Sequence, residues 1–341
     1  MVITSEIVYI DEGELVEEMD YVFKEIYCRT GQDLHLAIFK NNPVFILRIN
    51  GELEAYCVLE LHRLKRATLW NGPIVKNKRF TELVLKELIL CACKNGIRAM
   101  LIYPLDPETF NIISKLIQQR LLYKLSEAKG LLIGLKEILI SEEDLIKTYN
   151  RSLKENLKRA KKNQIEIFEI INHQDYLELI ELHHKMYDFK GMKTQKSALS
   201  NALLKDFEYI KKTKRGMILG ARYDGLLVGG SIQFFTRNTL VLQYAASNKE
   251  INLPIIQPLN HFAIIEAIKR GVLFCDFGEI TNGNDRINEN DQKYWDGFTY
   301  MKNSFGIIHD QHPKTIEVTF NKNAFAFYKT LAIVKNIFLR W

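Results

Sequence analysis

Val44-Phe45-Ile46-Leu47-Arg48-Ile49-Asn50-Gly51-Glu52-Leu53-Glu54-Ala55-Tyr56-Cys57-Val58-Leu59-Glu60-Leu61 decides the fold, because its plan returns later in the chain. Asn50-Gly51 separates two apolar runs, Val44–Arg48 and Leu53–Leu61, and Asn-Gly readily takes the positive φ angles of a two-residue hairpin turn. Asp224-Gly225 does the same between Met217–Tyr223 and Leu226–Phe235. Past the first hairpin, a helical stretch ends at Lys94-Asn95-Gly96 and the run Ile97–Tyr103 follows. Past the second, a helical stretch ends at Lys269-Arg270-Gly271 and Val272–Phe277 follows. The turn glycine and the helix-ending glycine lie 45 residues apart in the first copy and 46 in the second. This spacing predicts one mixed α/β unit, duplicated. With 341 residues, a prior of roughly 150 per domain also gives two.

Working outward, the first copy is expected to hold a short strand Ile7–Ile10, a helix near Glu14–Tyr27, the hairpin and a third strand Ala67–Trp70. Helix Thr81–Cys93, strand Ile97–Tyr103 stopped by Pro104, helix Glu108–Gln118 and strand Leu131–Leu135 complete it. Ser141-Glu142-Glu143-Asp144 then reads as a capping box. It opens one amphipathic helix, with Leu145, Tyr149, Leu153, Leu157 and Ala160 on the apolar face. Lys147, Arg151, Lys154, Lys158, Lys161 and Lys162 line the opposite face. The second copy runs strand Ile165–Ile171, helices Gln174–Lys190 and Ser197–Lys211, the hairpin, strand Leu240–Ala246, helix Pro258–Arg270 and strand Val272–Phe277. Thr281–Asp296 reads as a polar loop, Thr315–Phe320 as a late strand and Ala324–Arg340 as a C-terminal helix.

Composition sets outer limits. A 47% hydrophobic and 26% charged chain is that of an ordinary globular protein. A net charge of +6 suits an anionic partner such as a nucleotide, tRNA or phospholipid surface without demanding one. Five cysteines form no CxxC pair and read as reduced packing residues. The N-terminus lacks the basic flank and apolar run of a signal peptide, and no run is long enough to span a bilayer. The expected location is the cytoplasm, with peripheral contact at the inner face of the membrane as a further option. His183-His184 point apart on a helix and His309-x-x-His312 lacks a third ligand, so no metal site is expected.

Each copy's order matches the plan of the GNAT acyltransferase fold, and several motifs narrow it. Trp70-Asn71-Gly72-Pro73, Ser152–Lys162, Gly229-Gly230-Ser231, Tyr244-Ala245-Ala246-Ser247, Gly271 with Asp276-Phe277-Gly278, and Met301-Lys302-Asn303-Ser304-Phe305-Gly306 resemble the FemAB family in the same order. The resemblance runs from about Val44 over nearly the whole remaining chain. Members of that family are tandem GNAT-like proteins, and many move an aminoacyl group from tRNA to an amine of a peptidoglycan precursor. The resemblance implies an α/β (α+β mixed) fold of two GNAT-like domains, each a mostly antiparallel sheet flanked by helices. It implies residues 1–140 plus 312–341 for the first, acceptor-side domain, and 141–311 for the second, donor-side domain.

The resemblance also implies site residues. In a GNAT-like lobe the acyl donor lies where two strands splay, here Leu240–Ala246 and Val272–Phe277. Tyr244, Ser247, Asp276 and Gly278 would sit near their ends. Open backbone N–H groups there can hold a developing oxyanion, and a tyrosine or serine can donate a proton to the leaving atom. A half-buried strand aromatic is the other reading of Tyr244. Lys302 matches the lysine of the family's FKxxFG pattern, with Met301 in place of the usual Phe. A fixed ammonium beside an oxyanion in a dry cleft stabilises it more than in water, and a solvated surface lysine is the bland alternative. Asp276 either assists deprotonation of the acceptor amine or bonds a loop. It does not belong to a kinase DFG, since no phosphate loop or HRD loop accompanies it. Lys190 and Lys193 lie near where family members bind acceptor phosphates. Lys154 and Lys158, on the basic stripe, either contact phosphates or form a solvated face.

The expected activity is that of an acyltransferase moving an aminoacyl or acyl group to an amine of a cell-envelope precursor. It needs no tightly bound cofactor, no metal and no DNA. The cosubstrate is aminoacyl-tRNA or acyl-CoA. The segment Ser247–Gln257 contains no glycine, unlike the usual pyrophosphate cradle of CoA enzymes, which favours tRNA. Alternatives are a CoA-dependent N-acyltransferase acting on a sugar of a surface polysaccharide, and a non-catalytic lobe pair that binds RNA or envelope components. The apolar C-terminal helix either docks on the first lobe or lies on a membrane surface.

Overall fold

The computed structural model describes residues 1–10, 14–22, 40–70, 72–138, 141–189, 196–236, 238–280 and 297–338. The chain divides into two compact units, Met1–Leu131 with Gln311–Trp341, and Leu132–Asp310. Both are mixed α/β units built on mostly antiparallel sheets.

In the first unit, β1 (Ile3–Val8), β2 (Val44–Ile49), β3 (Glu52–His62), β4 (Arg66–Leu69), β5 (Ile74–Val75), β6 (Ala99–Ile102), β7 (Tyr123–Ala128) and β15 (Thr315–Thr319) form one sheet. Its order is β1-β2-β3-β4-β6-β15-β7, with β5 on β3. Asn50 at φ 52° and Gly51 at φ 86° make the expected hairpin turn. β2 is apolar nearly throughout because helices cover both its faces. Phe45 and Leu47 pack with Leu85 and Leu88 of α2 (Thr81–Lys94), and Val44 and Ile46 pack with Val16 and Met19 of α1 (Glu14–Val22).

The second unit repeats the plan with β8 (Leu132–Glu137), β9 (Glu166–Glu169), β10 (Gly216–Tyr223), β11 (Leu226–Phe235), β12 (Thr239–Ser247), β13 (Phe274–Glu279) and β14 (Ile308–Gln311). The order is β14-β8-β13-β12-β11-β10-β9. Asp224 at φ 51° and Gly225 at φ 78° reproduce the first hairpin's turn. Each unit has a parallel strand pair in the corresponding place, β4/β6 and β12/β13.

Three expectations change. The strand over Leu131–Leu135 does not finish the first lobe. As β8 it pairs with β13 in the second sheet, so residues 132–138 belong to the second unit rather than to a 1–140 domain. Gly134 shows why this strand fits there: a Cβ would meet Ile307 at 2.5 Å and Ile280 at 3.3 Å. The first sheet uses β7 instead, an exposed and polar strand that hydrophobic patterning passes over, and β15 inserts between it and β6. The amphipathic helix after Ser141 is two helices, α4 (Glu142–Thr148) and α5 (Arg151–Lys162). Tyr149 is extended between them, and Asn150 caps the second by accepting from Leu153 N at 2.9 Å. Cys93 is exposed rather than packed, while Cys57, Cys91 and Cys275 are buried thiols. The expected loop Thr281–Asp296 lies outside the described residues, as does Cys28.

Candidate active site

The two parallel pairs behave differently. β4 and β6 stay paired along their whole length, from Arg66↔Ala99 to Leu69↔Ile102. Tyr103 N then bonds Leu69 O at 2.9 Å, Gly72 N bonds Tyr103 O at 3.2 Å, and the Trp70 ring stacks on Tyr103 at 4.1 Å. That pair has no opening. β12 and β13 pair only at Thr239↔Phe274, Leu240↔Cys275 and Val241↔Asp276, although β12 continues to Ser247 and β13 to Glu279. Beyond Val241 the β12 edge has no ladder partner on β13.

Two irregularities turn the strands apart. On β12, Ile232 faces Tyr244 and Gln233 faces Leu242, which leaves Gln243 as an extra residue. On β13, Asp276 faces Leu135 and Glu279 faces Ile133, so Phe277 and Gly278 together oppose Gly134. Bulges of this kind bend a strand and increase its twist. Gly278 takes φ +73°, open to glycine at little cost. Asp276 is fully buried and its Oδ1 accepts from Gly278 N at 2.6 Å. The carboxylate thus bonds within the bulge, the kind of contact that the structural one of its two weighed roles calls for.

Lys302 is not a solvated lysine. It is 5% exposed, and its Nζ donates to Glu279 O at 2.7 Å, at the end of β13. The ammonium also lies 4.3 Å from the Phe298 ring centroid. Residues 297–303 are helical, and the motif's remainder anchors them. Phe305 is fully buried, with ring contacts to Phe277 at 4.9 Å and Tyr149 at 5.3 Å. Gly306, at φ +68°, lets the backbone pass the Thr148 carbonyl, which a Cβ would meet at 2.5 Å. Asn150 N bonds Ser304 O at 3.0 Å, so the break between α4 and α5 receives the motif.

Asp276, Gly278 and Lys302 therefore gather at the end of β13, and Tyr244 and Ser247 lie on the parting stretch of β12. Tyr244 is half-buried, edge-on to His183 at 6.3 Å. Burial, then the nearby Asp206 charge, pushes its hydroxyl pKa up, so the phenol keeps its proton at neutral pH. Ser247 is buried at the rim of a hollow of about 370 Å³, whose other wall is Leu182, Lys185, Met186 and Phe189 of α6 (His173–Phe189). A second hollow of about 280 Å³ shares Leu182, Lys185 and Asn248 with it, making one groove along the helix. Lys154 is half-buried on α5 with its Nζ donating to Lys147 O at 3.4 Å, and Lys158 is exposed on the same helix. Lys190 and Lys193 lie outside the described residues.

Sequence reasoning missed a polar cluster under the motif. Lys136 on β8 is 3% exposed and donates to Thr148 Oγ1 at 2.8 Å. Burial pulls its pKa down. Tyr149 Oη lies 3.1 Å from His261 Nδ1, and His261 Nε2 lies 3.3 Å from Glu142 Oε1. Burial lowers the His261 pKa, so the ring is neutral, accepts from the Tyr149 hydroxyl and donates to Glu142. In sequence, Leu135-Lys136-Glu137 alternates like a solvent-edged strand, which hides the buried lysine. Among the described residues no group of His, Cys, Asp or Glu could hold a metal ion, and no helix is long and apolar enough to cross a membrane.

No protein-family model matches the chain, and no curated protein matches it in sequence. Solved structures do match in fold. A crystal structure of FemX superposes with TM-score 0.72 at 12% identity, covering 91% of this chain and 96% of that one. L-PGS from Bacillus licheniformis gives TM-score 0.57 at 13% identity, covering 90% and 92%. A tandem GNAT protein from the clavulanic acid biosynthesis pathway, solved without AcCoA, gives TM-score 0.57 at 10% identity, covering 93% and 98%. The chain thus has a FemAB-like tandem GNAT fold, with two GNAT-like domains.

Proposed function

We propose that the protein is an acyltransferase that moves an aminoacyl or acyl group to an amine of a cell-envelope precursor of the peptidoglycan type. The observation that carries the reading is the gap between β12 and β13 with the buried Lys302 ammonium fixed at its β13 end. The donor's acyl carbonyl enters the gap. The acceptor's amine nitrogen attacks the carbonyl carbon, and the negative charge on oxygen is met by Lys302 and by the open N–H groups of β12. The nitrogen loses a proton as the tetrahedral intermediate breaks down. The carbon–oxygen bond to the donor breaks, the leaving oxygen takes a proton from the Tyr244 phenol, and the phenol recovers the proton that the nitrogen releases. Asp276 holds Gly278 and so the shape of the gap, and Ser247 lines the approach from the groove along α6.

The donor in this reading is aminoacyl-tRNA. The segment Ser247–Gln257 offers no glycine for a pyrophosphate cradle. A CoA thioester is the second reading, favoured by one feature: α8 (Ile256–Lys269) starts without a side-chain cap, leaving first-turn N–H groups for an anion. Titration with aminoacyl-tRNA and with acetyl-CoA separates the two, followed by transfer to amine acceptors. Saturable tRNA binding with Lys302-dependent transfer supports the proposal. Saturable acetyl-CoA binding with no tRNA binding selects the second reading. Binding of neither donor removes the enzymatic one.

A further inference from the structure

One end of the first unit's sheet is marked by a single row of partners: Arg66 beside Ala99, Ala99 beside Thr319, and Thr319 beside Tyr123. The connections just beyond that row are basic. Arg63 and Lys65 precede β4, Arg98 precedes β6, Arg120 precedes β7, and Lys322 follows β15. All five are exposed, and none forms an ion pair with a described residue. Glu317, two residues along β15 from Thr319, is already paired with Arg66. Among the described residues, this end of the sheet therefore carries an excess of positive charge.

Apolar side chains stand among these cations. Leu64, between Arg63 and Lys65, is 58% exposed, and Leu121, next to Arg120, is 51% exposed. Leu64 and Lys65 take φ 62° and φ 59°, the left-handed region that leucine and lysine rarely enter. The buried Tyr328 of α9 (Lys322–Phe338) holds this turn by donating its hydroxyl hydrogen to Leu64 O. Arg98 N fixes the next residue by bonding Lys65 O at 2.8 Å. The fold thus maintains a strained tip whose leucine is more than half exposed. Beside it, Arg120, Lys322, Tyr123 and Phe325 line a hollow of about 330 Å³.

We propose that this end of the first unit docks on an anionic lipid surface. Its cations would meet phosphate headgroups, and Leu64 and Leu121 would enter the shallow interface, the combination that drives peripheral binding. An RNA backbone would engage the same cations, but it has no use for exposed leucines at the tip. The docking proposal does not depend on the proposed chemistry.

Flotation of the full chain tests this with vesicles of phosphatidylcholine, with and without phosphatidylglycerol. The expected result is binding only when phosphatidylglycerol is present, weakening as salt is raised. Charge reversal by Arg63→Glu, Lys65→Glu and Arg98→Glu together should weaken binding about tenfold or more. Leu64→Ser with Leu121→Ser should weaken it several-fold while leaving capture of a labelled oligouridylate unchanged. Where the triple variant melts below the parent, Arg120→Glu with Lys322→Glu makes the same test at two further exposed cations. Absence of flotation, equal flotation on phosphatidylcholine alone, or insensitivity to the charge reversals would overturn the proposal. So would oligouridylate binding that needs these cations when vesicle binding does not, which would make the surface one for nucleic acid.

Discussion

Lys302 Nζ donates to the main-chain oxygen of Glu279 at 2.7 Å, so the ammonium is tied to the end of the strand whose bulge carries Gly278. A cation held this way need not reorganise when negative charge develops nearby, and fixed charge in a dry site stabilises an oxyanion more than a mobile one in water. The same bond makes the charge and the strand end a single structural element.

Lys302→Met keeps the length and the apolar stem but removes the charge. Transfer should fall about 10²–10³-fold in kcat, the usual cost of losing one oxyanion donor. Losing the bond to Glu279 should cost about 1–3 kcal/mol of stability. Single-turnover transfer from charged tRNA, measured beside a thermal melt, checks both. Unchanged turnover in the methionine variant would show that the lysine is only a structural pin.

Asp276 gives the opposite expectation. Its carboxylate accepts from Gly278 N, and an asparagine side-chain oxygen can accept the same bond. Asp276→Asn should therefore retain turnover within about tenfold, whereas removal of a general base typically costs about 10²–10⁴-fold. Asp276→Ala, which loses the bond, should lower the melting temperature. A dead but fully stable asparagine variant would make Asp276 the base after all.

Gly306 tests the anchoring of the motif. It combines φ +68° with a carbonyl, Thr148 O, only 2.5 Å from where a Cβ would sit. Gly51 has φ +86° with nothing within 4 Å. Gly51→Ala should cost about 1–2 kcal/mol, from the backbone conformation alone. Gly306→Ala should cost distinctly more, because the carbonyl must also move. Urea denaturation of the two variants measures the difference.

The duplicated hairpins were legible because Asn-Gly and Asp-Gly encode their turns locally, and the motif singled out Lys302, which is buried at the end of β13. Partner choice was not. β8 is apolar enough to be recognised as a strand, but only the close packing around Gly134 assigns it to the second sheet. The break at Tyr149 escaped notice because the apolar spacing continues through it, and the contact that requires it comes from Ser304, far along the chain. Lys136 escaped because no local pattern distinguishes a buried lysine from an edge one. The gap between β12 and β13 was implied by the family resemblance, while the bulged residue Gln243 that helps open it has no sequence signal of its own.

His261 sets an acid limit on stability. Burial, outweighing the pull of Glu142, holds its pKa below the ordinary 6.5. The unfolded chain therefore binds the proton more readily than the folded one. The stabilisation is complete above pH 6.5 and is lost as pH falls from there through the folded-state pKa. His261→Gln should flatten this part of the pH–stability curve, whereas Glu142→Gln, which removes the carboxylate that favours the imidazolium, should steepen it. Urea midpoints between neutral and mildly acid pH read both slopes.

Lys136 carries the converse cost. Burial disfavours its charged form, and the ammonium donates to a hydroxyl, Thr148 Oγ1 at 2.8 Å, with the Tyr149 ring 5.8 Å away. A depressed lysine pKa means that at neutral pH, below the pKa of the unfolded chain, the group detracts from stability, and the deficit fades only as pH rises towards 10.5. Lys136→Met fills the same space without the charge and should stabilise the second unit by about 1 kcal/mol or more at neutral pH. The gain should shrink in alkaline solution. Lys136→Ala is not equivalent, because it leaves a cavity beside Thr148 and Tyr149 and should destabilise instead. Thermal melts of the two variants across neutral and alkaline pH decide the matter: a methionine variant less stable than the parent at neutral pH would show that the ammonium's contacts outweigh its desolvation.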